Sequence, residues 1–85
     1  MGQFTEEYLK PEELRKWLLE NLVIGKTYNV TTNRVKEGWS TANYIGGYKA
    51  LAIYPHNVAF LSPGGHIESF TLMDAVNIAQ GIPID

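Results

Sequence analysis

A chain of 85 residues with 45% apolar and 19% charged side chains is one globular domain, 1–85, and not a disordered polymer; its net charge of −2 disfavours a role resting on a strongly basic surface. Cysteine is absent, which removes disulfides, thiol chemistry and Cys-ligated metal sites. No apolar run approaches the roughly 18 residues that span a bilayer, and MGQFTEEYLKPEE is acidic where a secretion signal is basic then apolar, so a cytoplasmic chain is expected.

The first helix is predicted from Pro11 to about Leu22. Proline suits the first helical position, where its missing N–H leaves no bond unmade. Glu12 and Glu13 follow at the positive end of the helix dipole. Leu14, Trp17, Leu18 and Leu22 recur at helical spacing and form an apolar stripe, which Leu19 and Val23 widen beyond what a small sheet covers. Gly25 is the expected stop.

Lys26 to Thr32, KTYNVTT, sets Tyr28 and Val30 against polar residues, the alternation of a half-buried strand. Residues 33–47 show no period and read as a long connector, of the kind that is usually functional or partly disordered. Tyr48 to Tyr54 is apolar on both faces, as in a central strand. Pro55 ends it, and Asn57 to Leu61 forms the next. Ser62-Pro63-Gly64-Gly65 fits a type II turn, with positive φ at Gly64, and His66 to Phe70 returns antiparallel. In the simplest register Ser62 faces Gly65, which puts Val58, Phe60 and Ile67 on one face and Leu61, His66 and Glu68 on the other. A bulge at this turn would shift the register by one and exchange the faces.

Thr71-Leu72-Met73-Asp74 has capping-box spacing and opens a last helix with Leu72, Val76 and Ala79 buried. Gly81 stands where a left-handed residue ends a helix, and Pro83 forbids continuation. The expected fold class is therefore α+β: an N-terminal helix, a four-stranded antiparallel meander, curled and SH3-like, and a C-terminal helix.

Charge is uneven. Residues 1–25 carry five Glu against Lys10, Arg15 and Lys16; residues 26–49 carry Lys26, Arg34, Lys36 and Lys49 against Glu37; residues 50–85 carry Glu68, Asp74 and Asp85. The positive middle also holds Tyr28, Trp39, Tyr44 and Tyr48, with Tyr54 just beyond it. Tyrosine and tryptophan are enriched at binding hot spots, and beside Lys or Arg they stack nucleic-acid bases. Arg34, Lys36, Trp39, Tyr44 and Tyr48 are the candidate binding residues. The expected partner is another protein or a second copy in a homodimer; nucleic acid is the alternative, disfavoured by a sequence pI of about 5.6.

Chemistry has less to stand on. His66 and Glu68, two apart on a strand, could hold a divalent ion with His56, but a solvated strand pair and a turn histidine are the favoured reading. Ser62, Ser69 and Thr71 lie in no nucleophile-elbow pattern, and Thr71 already has a capping role. Gly46-Gly47 and Gly64-Gly65 lack the Lys-Ser/Thr and helix of a phosphate loop. No catalytic residue, metal or cofactor is expected, nor membrane insertion.

The runs GKTYNV and YKALAIYPHNVAFLSPGGHIESFTLMD resemble a pattern in short phage and prophage proteins of Gram-positive, often gut-dwelling, bacteria. Tyr54, Pro55, His56, Val58, Gly65, Glu68, Ser69 and Phe70 carry the resemblance, which covers the C-terminal half and the first strand. It implies a phage-derived chain and assigns no activity.

Overall fold

The computed structural model describes residues 10–32 and 43–84, with backbone alone at 43 and 44. The elements are α1 (Pro11–Asn21), β1 (Thr27–Thr32), β2 (Asn43–Ile53), β3 (Asn57–Leu61), β4 (Ile67–Thr71) and α2 (Leu72–Gln80). The strands form one antiparallel meander in the order β1-β2-β3-β4. The α+β class and the helix–meander–helix order match the sequence expectation. The sheet is open, however: β1 and β4 are its two edges and do not pair, so the SH3-like curl is not found.

Pro11 opens α1, and the Lys10 carbonyl accepts from the N–H groups of Glu13 at 2.9 Å and Leu14 at 3.1 Å. The helix ends at Asn21, short of Gly25. Gly25 instead takes φ +93° inside a turn in which the Lys26 N–H donates to the Val23 carbonyl at 3.1 Å. Its positive φ serves the approach to β1, not a helix cap.

Strand β2 begins five residues before the expected Tyr48, so 43–47 are strand rather than connector; residues 33–42 lie outside the described residues. Glycine pairs ordinarily weaken a strand. Here Gly46 sits opposite Val30 at φ +133°, and the pairing register shifts just beyond it, leaving Ile45 as the extra residue. The Pro63 ring packs directly on Gly46. A second shift falls at Leu51, between Ala50 and Ala52. Such bulges bend a strand, and β2 needs bending because only its second half also pairs with β3.

The β3–β4 turn resolves the register. The Gly65 N–H donates to the Ser62 carbonyl at 3.0 Å, and the positive φ of +86° belongs to Gly65, not Gly64. This is a type I turn followed by a left-handed bulge glycine, whose twist suits a hairpin better than type II. Ser62 thus pairs with His66, its N–H donating to the His66 carbonyl at 2.7 Å. The shift by one puts Glu68 and Phe70 beside Phe60 and Val58, and sends Ile67 to the opposite face with Leu61.

Both helices cover one face. Leu14, Leu18 and Leu22 of α1 and its exit, and Leu72, Ala75, Val76 and Ile78 of α2, enclose Tyr28, Val30, Tyr48, Ala50, Val58 and Phe60. Phe70 joins the two aromatic neighbours edge-to-face, 5.5 Å from Phe60 and 5.6 Å from Tyr48. Of the expected α2 stripe, Leu72 and Val76 are buried and Ala79 half-buried. Trp17 packs half-buried against this core.

The α2 ends are as the sequence indicated. Thr71 Oγ1 accepts from the Asp74 N–H at 3.1 Å. Gly81 is left-handed at φ +76°, with its N–H on Ile78 and the Ile82 N–H on Asn77. Thr71→Ala is expected to cost about 1 kcal/mol, read as a lowered urea midpoint at unchanged slope. After Pro83 the chain returns to the sheet: Ile84 bridges Thr32 in parallel and donates its N–H to the Thr31 carbonyl at 2.9 Å.

Candidate functional site

The titratable groups among the described residues do not converge. His56 lies in the two-residue turn between β2 and β3, and His66 follows the turn between β3 and β4. They stand at opposite ends of β3, roughly 20 Å apart by strand rise. No group of three His, Cys, Asp or Glu among the described residues is placed to hold a metal ion. Ser62 Oγ accepts from the His66 N–H at 3.1 Å and Thr71 Oγ1 from Asp74, so both hydroxyls are engaged in local backbone structure.

The five candidate binding residues separate. Arg34, Lys36 and Trp39 lie outside the described residues. Tyr44 sits near the start of β2, opposite Thr31. Tyr48 is 6% exposed and packs in the core, so its ring is closed to a partner. Burial first, and the nearby Glu68 carboxylate second, push the Tyr48 phenol above its ordinary value and keep it neutral. Two shallow grooves flank α2. One, of about 230 Å³, is lined by Pro11, Leu14, His56, Thr71, Leu72 and Met73. The other, of about 370 Å³, lies between Lys26–Asn29 and the end of α2. The Lys26 ammonium rests 5.0 Å from the Tyr28 ring centroid, and the Tyr28 hydroxyl accepts from the Val23 N–H at 2.9 Å, so this corner is internally satisfied.

What remains is apolar surface. Leu19, Val23 and Ile24, at the end of α1 and in the turn after it, are each at least half exposed. Leu19 lies on the outer side of the α1 stripe, as its spacing indicated, whereas Val23 and Ile24 follow the helix end at Asn21 and are exposed in the turn. The second area is the sheet face opposite the helices, where the register aligns Lys49, Leu61 and Ile67 in one row and Ala52, Ala59 and Ser69 in the next; of its apolar side chains only Ile67 is exposed, with Leu61 and Ala52 half-buried and Ala59 buried. Ile67 is 69% exposed, the most of any large apolar side chain described. The simplest sequence register hid this face by turning Ile67 inward; the Pro-Gly-Gly run, which can put the positive φ one residue later, was the signal for it. Comparisons with family models, with curated proteins and with solved structures find no match.

Proposed function

We propose that the chain is a small, non-enzymatic protein-interaction module of phage or prophage origin, acting in the cytoplasm and binding another protein or a second copy of itself. The observation that carries it is the set Leu19, Val23 and Ile24, aliphatic side chains each at least half exposed among the described residues. The dispersal of His56, His66 and the hydroxyls supports the same view, because acid–base or metal chemistry needs such groups within reach of one another. The resemblance to phage and prophage proteins supports the origin, and the missing cysteines fit a reducing compartment.

The test is capture. A tagged chain is used to retrieve partners from host lysate beside L19K/V23K. Both positions are exposed, so folding stability should move by no more than about 0.5 kcal/mol. Capture should fall by about tenfold or more, the effect of losing one to two kcal/mol of contact energy. Trp39→Ala should also reduce it. Undiminished capture by both variants, with the circular dichroism of the parent, would remove the proposal.

A further inference from the structure

The starts of both helices line the groove of about 230 Å³: Pro11 and Leu14 come from α1, and Thr71, Leu72 and Met73 from the beginning of α2. The two starts are secured differently. Thr71 caps α2 with its hydroxyl. Lys10, at the N-cap of α1, makes no side-chain cap bond, and its backbone carbonyl takes the N–H groups of Glu13 and Leu14. A start without a side-chain cap leaves the entry of the chain to be fixed by apolar packing.

The sequence supplies the parts for that packing. With Lys10 extended at φ −89°, ψ 157° and Pro11 the first helical residue, Leu9 stands just before the cap and Leu14 is the fourth residue of the helix. Apolar side chains at these two positions pack on one another as a hydrophobic staple, which sets the direction from which the chain arrives. Leu14 is also a wall of the groove, so a leucine seated on it leads the preceding chain across the groove. Residues 1–9 lie outside the described residues; they place Phe4 and Tyr8 within five positions of Leu9. Five residues of chain reach up to about 17 Å, enough to bring both rings to Leu72 and Met73.

We propose that the groove is filled by this chain's own residues 4–9, with Leu9 seated on Leu14 and the rings of Phe4 and Tyr8 closing over Leu72 and Met73. Tether and pattern specify the occupant. A segment joined to the chain at Pro11 loses no translational freedom on reaching the groove, whereas a second copy or a foreign peptide does. The groove is then a self-occupied site, which a partner segment could enter only by displacing residues 4–9. This goes beyond the interaction role read from Leu19, Val23 and Ile24, which lie at the other end of α1 and after it, and does not depend on it.

Nuclear Overhauser contacts in the methyl-labelled full chain test the proposal. Met73 is one of two methionines, so its methyl signal is readily assigned. Cross-peaks are expected from the Leu9 methyls to those of Leu14, and from the Phe4 and Tyr8 rings to the Met73 methyl, unchanged from about 50 µM to 1 mM. An equimolar mixture of differently labelled chains should show none between copies. Leu9→Ala should remove the ring contacts and speed amide exchange at Glu13 and Leu14 about tenfold, while Phe60 and Val76 change by no more than about twofold. Leu9→Met, which keeps the volume, should preserve both. Absence of the contacts in the parent, contacts found between copies, or exchange at Glu13 and Leu14 indifferent to Leu9→Ala overturns the proposal. L19K/V23K should leave every contact in place, so failure of the interaction role and failure of the staple are read apart.

Discussion

Phe60→Ala is expected to remove about 3–5 kcal/mol of stability, the range for a fully buried aromatic truncated to alanine. A domain of this length holds about 4–13 kcal/mol in total, so much of the population should be unfolded in dilute urea. Phe60 has no exposed surface, its ring meets Phe70 edge-to-face, and its neighbours across the ladders are Ala50 and Glu68. Neither can fill the vacated volume: Ala50 is too short, and Glu68 would have to bury a carboxylate. Phe60→Leu keeps most of that volume and should cost about 1.5 kcal/mol or less. Urea unfolding followed by far-ultraviolet circular dichroism measures both. A Phe60→Ala loss below about 1.5 kcal/mol would mean that the sheet collapses around the gap and that the core is not organised about this ring.

Gly46→Ala should be nearly as damaging, though it adds only a methyl group. Two independent effects coincide there. At φ +133° an L-residue is strained by about 1–3 kcal/mol. The new Cβ would also fall on the Pro63 ring, an overpacking that typically costs a further 1–3 kcal/mol. The effects separate in a double-mutant cycle: Pro63→Ala introduced into Gly46→Ala should return the steric part and leave the backbone part. Gly25→Ala and Gly65→Ala are the controls, since both have positive φ and nothing within 4 Å of the added atom. They should lose only the backbone part. Equal losses at all three glycines would show that the Pro63 contact is unimportant.

The back half of the chain was legible because its signals are local. Thr71, Asp74, Gly81 and Pro83 each act within one helical turn of their own position, and the helix they bound is the one observed. Signals that depend on remote partners were not legible. Gly46 and Gly47 read as the end of a connector because nothing nearby announces that Pro63 packs over them. Tyr48 was grouped with the surface aromatics because its burial depends on Phe70, met only after two turns. The face assignment of Ile67 and Glu68 hinged on a single φ, at Gly64 or at Gly65, and a period of two turns one such choice into an exchange of every side chain. Of the candidate surface, only Leu19 was readable from helical spacing; Val23 is exposed because the helix ends at Asn21, and the sheet part was not legible.

The tie between Ile84 and the first strand has a kinetic consequence. The β2–β3 and β3–β4 hairpins close short loops, whereas this tie closes one that contains three strands and a helix. The entropic toll of ring closure rises with the logarithm of contour length, and against it stand one bridge and the burial of the Ile84 side chain in the core. The strap is therefore expected to fasten after the sheet has formed, and amide exchange at Ile84 faster than in β2 and β3 would show that it opens on its own.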